Sequence, residues 1–366
     1  MTNFSLKILS AALARDRAAW ERLVVGLPLK AVYFTAGYLA FYAMKLRGEP
    51  MLVTYGDSQN YLVHPLVKRS INDLGFCPPE PRRYDVISPW YHGGPTAHLA
   101  DEGLAHELYR RFLSDFGDYC RANGIVSEFV RLYPLLGNHR PLAGLLPLEK
   151  IGGTVYVDLS QSHGELWAGL AHSCRKNIKR AQSCGLEVRV SPGKKDLKLF
   201  YRVYEDFLRR KNSDDFYHFP LASLEELCDL VGDSATLFFV SYSGKTLAAN
   251  LVLHQYDIAE DYLRGTYPDE ARVRPNNILL YEIILWAKAR GYRYFNIGGG
   301  RGGQVDDQFR FKATFSRLSA SFLVYRRVHD QVAYDEMCRK RRQYDERRGI
   351  APVGPGFFPA YRHPYE

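Results

Sequence analysis

The segment FRFKATFS, residues 309–316, places two cations between aromatic residues. Side chains alternate between the two faces of a β-strand, so a strand here would put the aromatic rings on one face and Arg310 and Lys312 on the other. A cation that is held in a poorly hydrated place can bind an anionic group or stabilise a developing negative charge. The alternation therefore predicts a strand that could do chemistry, and charge protection of an exposed edge strand is the structural alternative.

A second cluster of cations lies in SHGELWAGLAHSCRKNIKRAQSCGLEV, residues 162–188. Ser162 and Glu165 have the spacing of a capping box, and Gly185 is placed to end a helix, so one helix is predicted between them. Its polar face carries Arg175, Lys176, Lys179 and Arg180. No acidic residue lies between Glu165 and Glu187 to offset these charges. The helix is therefore predicted to bind phosphate, and an amphipathic helix with a merely cationic surface is the alternative.

The composition favours a globular chain of two domains with an anionic partner. The sequence has 366 residues, of which 46% are hydrophobic, and a formal net charge of +9 at pH 7. Such a charge suits nucleic acid, a nucleotide or an acidic membrane surface, or it is only a solvated basic surface. None of the six cysteines forms Cys-x-x-Cys, and no histidine pair has metal-ligand spacing, so no metal site is predicted.

No apolar run is long enough to predict a membrane span. The N-terminal segment MTNFSLKILSAALARDRAAW is interpreted as an amphipathic helix, because Arg15, Asp16 and Arg17 follow its apolar residues closely. We expect a cytoplasmic protein on these grounds.

Strands and helices alternate in both halves of the sequence. The order strand, loop, long helix, strand occurs over residues 84–130 and again over residues 261–297. Three antiparallel strands are predicted between residues 235 and 266, the first two joined around Ser243-Gly244. The pattern predicts an α/β chain with mixed (α+β) sheets. The predicted divisions are residues 1–150, residues 151–330, and a charged C-terminal helix and tail over residues 331–366.

Several segments together resemble the Fem family. HSCRKNIKRAQSCGLEV is similar to the family's Arg-x-Asn-Ile-x-x-Ala…Gly-Leu signature, and FRFKATFS is similar to its Phe-Lys-x-x-Phe strand. RPNNILLYEIILWAKARGYRYFNIGGG resembles a helix and strand of the same family, and YDVISPWYHGGP and EFVRLYPLL resemble elements of its first domain. The likeness covers about residues 84–326.

The resemblance implies two tandem GNAT-like acyltransferase domains and an aminoacyl or peptidyl transferase. Family members move an amino acid from aminoacyl-tRNA to an amine on a nucleotide-linked muropeptide. The implied partners are the tRNA acceptor end and a nucleotide-linked or other anionic amine substrate, from peptidoglycan-precursor or natural-product synthesis. Aminoacyl-tRNA would be the co-substrate, with no bound cofactor. The paired-helix arm that some members use to bind tRNA has no counterpart between Gly185 and Ala235. Many relatives act in polysaccharide or natural-product pathways, which leaves the substrate open.

The resemblance also assigns roles to residues. Lys312 occupies the position of the family lysine and is predicted to stabilise the oxyanion of a tetrahedral intermediate, with Phe311 as its anchor. Arg310 is predicted to bind an anionic group of the substrate. The substrate-binding candidates are Arg175, Lys176, Asn177, Lys179, Arg180, Asn276, Asn277, Tyr262, Arg264 and Tyr91. No general base is assigned.

Two other functions stay open at this point. The first is acyl-CoA-dependent N-acylation of a sugar or natural-product amine, although EARVRPNNILL lacks the glycines that cradle pyrophosphate in GNAT enzymes. The second is a nucleic-acid-binding module without chemistry, but residues 175–180 contain no stacking aromatics. The loop Gly298–Gly303 either lets an anion approach its main chain or is a flexible turn.

Overall fold

The computed structural model describes residues 4–212, 217–268, 271–351, 354 and 356–362. The chain divides into two compact units. Unit 1 comprises Met1–Pro28, Tyr33–Lys150 and Leu323–Glu366, and unit 2 comprises Leu29–Val32 and Ile151–Phe322. The sequence suggested a boundary at residue 150 and a separate C-terminal segment, whereas here the chain after Leu323 is part of unit 1.

Unit 1 is a mixed sheet with helices packed against it. Its elements before residue 150 are β1 (Ser5–Ser10), α1 (Ala14–Val25), α2 (Ala36–Lys45), β2 (Glu49–Gly56), β3 (Asn60–Ser70), β4 (Tyr84–Ile87), β5 (Thr96–Leu99), α3 (Ala105–Ala122) and β6 (Ile125–Arg131). Neighbouring strands from β1 to β4 are antiparallel, and β5 also pairs with β3. β4 and β6 are parallel.

The predicted N-terminal amphipathic helix is wrong over its first half. Ser5–Ser10 is an edge strand instead, paired with β2, and the helix begins only at Ala14. The physical reason is the spacing of Leu6 and Ile8, two residues apart, which places both side chains against the core of unit 1.

Helix α3 covers one face of the unit 1 sheet. Leu108, Phe112, Phe116 and Cys120 recur every fourth residue and are buried, which gives the helix one continuous apolar stripe. Gly124 follows with a positive φ of 67°, a conformation that glycine adopts without steric cost. The long helix predicted within residues 84–130 is therefore confirmed.

Unit 2 is a second mixed sheet. Its elements are β7 (Glu149–Asp158), α4 (His163–Gly169), α5 (His172–Ser183), β8 (Glu187–Pro192), α6 (Leu197–Lys211), α7 (Leu221–Val231), β9 (Ala235–Tyr242), β10 (Lys245–Gln255), β11 (Ile258–Thr266), α8 (Pro275–Ala289), β12 (Tyr294–Gly298) and α9 (Asp307–Ala313). The strand order is β7-β12-β11-β10-β9-β8, and β11–β12 is its parallel pair. Two further elements follow α9: β13 (Ser319–Val328), which pairs with β6 from Val324 onward, and α10 (Gln331–Arg348).

The predicted α/β class with mixed sheets is confirmed. So is the run of three antiparallel strands β9, β10 and β11, whose first turn carries positive φ at Ser243 and Gly244. Helices α5 and α8 pack on this sheet with buried side chains such as Cys174, Ile178 and Ile283. None of the described helices is long and apolar enough to cross a membrane.

The predicted strand at FRFKATFS is wrong, because residues 307–313 form helix α9. Asp306 caps this helix by accepting a hydrogen bond from the main-chain N–H of Phe309 at 2.9 Å. The alternation of aromatic and charged residues is a period-2 pattern, but the aspartate cap and the tertiary contacts of the rings override it. In a helix Arg310 and Lys312 lie about 200° apart, so they do not share a face.

The single helix predicted over residues 162–188 is two helices. Its start is confirmed, because Ser162 and Glu165 form the capping box, and its end is confirmed by Gly185 at φ 76°. Leu170 and Ala171 between α4 and α5 are extended, and Leu170 is buried in the core. No proline or glycine pair announces this break in the sequence, so only packing fixes it.

Candidate active site

Strands β11 and β12 lie side by side over a short distance and then separate. They pair from Ile258 opposite Tyr294 to Glu260 opposite Asn296. β11 continues to Thr266, with a bulge at Tyr262, while β12 ends at Gly298. The separation leaves the second half of β11 facing a gap in the sheet of unit 2.

Lys312 lies at this gap. Its Nζ donates a hydrogen bond to the main-chain oxygen of Gly299, just after β12, at 2.8 Å. Burial lowers the pKa of Lys312 to about 8, Arg264 adds to the decrease, and Asp261 and Asp306 oppose it. The side chain is therefore a partly buried ammonium at neutral pH, fixed by a main-chain carbonyl and surrounded by charged groups.

Three polar side chains of β10 and β11 form the charged surroundings of Lys312. The Nδ2 of Asn250 donates to Asp261 Oδ1 at 2.7 Å, and Arg264 Nη1 lies 3.6 Å from Asp261 Oδ2. The guanidinium of Arg264 also sits over the ring of Phe311, 5.5 Å from its centre. Arg264 Nη1 and Asn250 Oδ1 are buried and make no hydrogen bond to any described residue. This group of three side chains therefore has one hydrogen-bond donor and one acceptor that a substrate could use.

The root of the gap contains a buried polar network. Asn296 Nδ2 donates to Glu260 Oε2 at 2.9 Å, and Thr154 Oγ1 donates to Asn296 Oδ1 at 2.6 Å. All three side chains are at most 3% exposed, in the middle of an otherwise apolar sheet. These residues join β7, β12 and β11 at the point where the last two separate.

The glycine-rich loop Gly298–Gly303 is shaped by close packing. A Cβ on Gly298 would lie 3.0 Å from the Nζ of Lys312, and one on Gly299 would run into the carbonyl of Gly153. A Cβ on Gly303 would run into the carbonyl of Ile151 on the same strand. The glycines therefore let the loop lie against β7, and Arg301–Gly303 forms a short turn in which Gly302 has a positive φ of 58°.

Arg310 and Phe311 have different environments from those predicted. Arg310 is exposed on α9 and pairs with the exposed Asp307 at 3.0 Å, so it does not accompany Lys312. The expectation that both cations share one face is wrong for the geometric reason given above. Phe311 packs against the core of unit 2 and contacts Phe315 edge-to-face at 5.3 Å, from a helix in place of the predicted strand.

Helix α5 carries the predicted basic face, with one exception. Lys176, Lys179 and Arg180 are exposed, and Asn177 is partly buried. Arg175 instead turns back and donates to the carbonyl oxygens of Ala168 and Leu170 at 3.1 and 2.5 Å. Its guanidinium therefore caps the end of α4, so a phosphate-binding role for Arg175 is not supported.

The start of α5 meets the end of α9. The main-chain N–H of Ala171 donates to the carbonyl of Thr314 at 2.9 Å. Cys174 of α5 accepts from Asn277 Nδ2 on α8 at 3.7 Å. The basic helix, the lysine helix and α8 are thus packed together in unit 2.

The remaining substrate-binding candidates are spread more widely. Asn277 is buried and its Nδ2 donates to the sulfur of Cys174. Asn276 Oδ1 is buried without a hydrogen-bond partner among the described residues. Tyr262 is the bulged residue of β11 and is 2% exposed. Tyr91 belongs to unit 1, with φ 70° and its ring 4.2 Å from that of Trp90. The structure therefore brings Lys312, Phe311 and Arg264 together, and Tyr91 lies in the other unit.

The carboxylates near Lys312 differ in their partners, and Asp261 is already paired with Asn250 and Arg264. Asp306 accepts from the main-chain N–H groups of Phe309 and Arg301, which outweigh the effect of burial and lower its pKa. Asp307 is exposed and paired with Arg310. Burial raises the pKa of Glu282 on α8. No general base is assigned from this geometry.

The comparisons with known proteins agree with this architecture. Residues 169–313 match the family model described as an acetyltransferase (GNAT) domain. No curated protein sequence matches the chain significantly.

Several solved structures are similar to most of the chain. The FemX structure is 12% identical, with a TM-score of 0.65 over 87% of this chain and 98% of FemX. The C-terminal domain assigned to a lysylphosphatidylglycerol synthetase from Agrobacterium fabrum is 17% identical, with a TM-score of 0.53 over 87% of this chain and 94% of that one. L-PGS from Bacillus licheniformis is 14% identical, with a TM-score of 0.51 over 84% and 91%. The predicted Fem-like fold is confirmed, and at these identities the structures show the fold alone.

Sequence reasoning missed four polar residues at the gap in unit 2: Thr154, Asn250, Glu260 and Asn296. Each lies in an apolar strand, where a single polar residue gives no periodic signal. The one available signal was the presence of a polar residue in an apolar strand, because a buried polar group needs a hydrogen-bond partner. The partners come from different strands, so the sequence does not show them together. Asp261, three residues before Arg264, was also missed because the bulge at Tyr262 is not visible in the sequence.

Proposed function

We propose that the chain is an aminoacyltransferase that moves an amino acid from aminoacyl-tRNA to an amine acceptor and forms an amide bond. The observation that carries the proposal is the ammonium of Lys312, held by the Gly299 carbonyl at the gap between β11 and β12. A fixed, partly desolvated cation stabilises the oxyanion of a tetrahedral intermediate far better than a mobile one in water.

The proposed reaction balances without a cofactor. The acceptor amine attacks the carbonyl carbon of the aminoacyl ester, and the carbonyl oxygen becomes an oxyanion beside Lys312. The intermediate then collapses, the bond to the ribose oxygen breaks, and the proton lost by the amine ends on that oxygen. Arg264, with its open Nη1, is placed to donate to an oxygen of the donor. The predicted acceptor remains a nucleotide-linked or other anionic amine.

Two features support tRNA as the donor. The exposed cations Lys176, Lys179 and Arg180 lie on α5, which is packed against α9 through Ala171 and Thr314. They form no ion pair or hydrogen bond through their side chains with a described residue, so they are available to phosphates.

The start of α8 argues against a donor held by its pyrophosphate. Main-chain N–H groups at a helix start usually bind such a group. In α8 the first position is Pro275, which has no N–H, and the N–H of Asn277 donates to the carbonyl of Arg274 at 3.1 Å. Fewer donors are therefore free at this helix start than acyl-CoA binding needs.

Donor competition tests the proposal. The protein is incubated with charged tRNAs or with acyl-CoAs, each with a nucleotide-linked muropeptide or a small amine, and the amide product is measured by mass spectrometry. We expect product from charged tRNA. Product from acyl-CoA alone would replace the proposal with an acyl-CoA-dependent N-acyltransferase, and binding without product from either donor would favour a module without chemistry.

A further inference from the structure

We propose that Asn296 is a positioning residue that fixes the ammonium of Lys312 through the main chain of Gly298–Gly299. Glu260 and Thr154 in turn hold the Asn296 side chain. This inference rests on the proposed role of Lys312 in acyl transfer, but it concerns the geometry and acidity of Lys312 in the protein without substrate.

Asn296 uses both ends of its amide. Its Oδ1 accepts from Thr154 Oγ1 at 2.6 Å and from the main-chain N–H of Gly298 at 3.1 Å. Its Nδ2 donates to Glu260 Oε2 at 2.9 Å. A rotation of the amide by half a turn would place its oxygen against the Glu260 carboxylate, so the orientation is set by these partners.

The hydrogen bond to Gly298 sets the direction of the chain that follows. Gly298 has φ 88°, and the pairing of β12 with β7 is irregular between Asn296 and Gly298. The next carbonyl, that of Gly299, accepts from Lys312 at 2.8 Å. The Asn296 side chain is thus connected to the ammonium group by two hydrogen bonds and the main chain of Gly298–Gly299 between them, which we call the relay.

The network is costly as a purely structural device. Glu260 is 2% exposed, and a buried carboxylate carries a desolvation penalty that an apolar side chain in the same strand would not. A fully satisfied polar network compensates by fixing one geometry of its surroundings. Here the surroundings are the main chain that holds Lys312.

The first test measures Lys312 without any substrate. Competitive labelling of lysine amines with acetic anhydride over a pH series, read by mass spectrometry, gives the pKa of Lys312 in the folded protein. Asn296→Ala should lower that pKa below its wild-type value, because the charged form loses a well-placed acceptor. An unchanged Lys312 pKa in a folded Asn296→Ala protein overturns the inference.

The second test measures turnover and its rescue. Asn296→Ala should lower kcat about 100-fold, as expected for a small displacement of a catalytic group, with a much smaller change in KM. Glu260→Gln/Asn296→Asp exchanges the charge but keeps each hydrogen bond, because the new amide donates to the new carboxylate. The double variant should return kcat to within a few-fold of the wild type, whereas Asn296→Asp alone should not.

A matched pair of threonine variants separates positioning from stability. Thr154→Val removes one partner of Asn296, and Thr236→Val removes the hydroxyl that contacts His254 at 2.8 Å elsewhere in unit 2. Both threonines are 3% exposed, so both variants should lower the melting temperature. Only Thr154→Val should change the pKa of Lys312. Equal effects of both variants on that pKa would contradict the relay.

The tests also distinguish this inference from the proposed function. If the wild-type protein makes no product from charged tRNA, the proposed function fails while the labelling experiment still reports on the relay. If Lys312→Ala abolishes turnover but Asn296→Ala changes neither kcat nor the Lys312 pKa, the relay fails alone. Should Asn296→Ala not fold, Thr154→Val gives the same two measurements.

Discussion

The ammonium nitrogen of Lys312 lies 2.8 Å from the main-chain oxygen of Gly299, thirteen residues earlier in the chain. Lys312 comes from helix α9, and Gly299 follows strand β12, where the sheet of unit 2 opens. The contact joins helix α9 to the edge of the gap in unit 2. It also places a cation where the proposed reaction develops negative charge.

Removal of the cation should abolish most of the activity. Lys312→Met keeps the length of the side chain and removes the charge, so we expect kcat to fall about 10²–10³-fold in steady-state assays, as for other lost oxyanion donors. The variant should melt close to the wild-type temperature, because a partly buried ammonium is replaced by an apolar group. Arg310→Met on the exposed side of α9 is the control, with little change in kcat expected. Equal activity of Lys312→Met and wild type would exclude the proposed role.

The rate should depend on pH through Lys312. Burial lowers its pKa to about 8, so the proton is lost as the pH rises above that value and kcat should fall on the alkaline side. An arginine stays protonated over the whole range. In Lys312→Arg, whatever activity remains should therefore lack the alkaline decrease. The measurement is kcat against pH, and an identical alkaline limb in both proteins would assign the decrease to another group.

The α5 cations should control binding of tRNA. We expect Lys176→Ala, Lys179→Ala and Arg180→Ala combined to weaken binding and to make the slope of log affinity against log salt shallower by about 2 to 3. Arg175→Ala is the informative contrast: its capping of α4 predicts a loss of about 1.5–3 kcal/mol in the free energy of unfolding, with little change in the salt slope. A salt slope unaffected by the triple variant would remove α5 from the tRNA site.

Arg362 should stabilise unit 1. Its Nε donates to Asp85 Oδ2 at 2.6 Å, and Arg69 donates to the other oxygen of the same buried carboxylate at 2.7 Å. Arg362→Ala leaves this carboxylate with Arg69 as its charged partner, so denaturant unfolding should show a loss of about 1.5–3 kcal/mol. The exposed pair of Arg110 and Glu107 is the control, and Arg110→Ala should leave the stability nearly unchanged.

Acid should destabilise the fold through His254. Burial and the charge of Arg290 lower its pKa to about 4, and its ring contacts Thr236 and the Tyr292 hydroxyl. Below about pH 6.5 the His254 side chain is protonated in the unfolded chain but stays neutral in the folded one. The stability that this group contributes is therefore present above about pH 6.5 and is lost as the pH falls towards 4. We expect a loss of about 2 kcal/mol by pH 5 from this group. Urea unfolding at pH 7.5 and pH 5 measures it, and His254→Gln should show a smaller difference.

Local signals were sufficient for the ends of several elements. The Ser162–Glu165 capping box, the stop at Gly185 and the turn at Ser243-Gly244 each depend on residues a few positions apart, and the structure has all three. Such features form from short-range hydrogen bonds and φ preferences, which the sequence contains in full. FRFKATFS shows where local reasoning fails, because its period-2 alternation is compatible with a strand while Asp306 and the packing of its rings make it a helix.

The sequence by itself therefore determined the class of fold, the basic helix and the identity of the lysine. The tertiary structure decided which groups surround that lysine. Gly299, Asp261 and Arg264 come from other strands and loops, and their distances to Lys312 depend on where β11 and β12 separate. It also decided that Arg175 caps α4 and that Arg310 is exposed to solvent. The physical reason is that hydrogen bonds and burial across distant segments follow from the packing of the whole unit, which no short stretch of sequence contains.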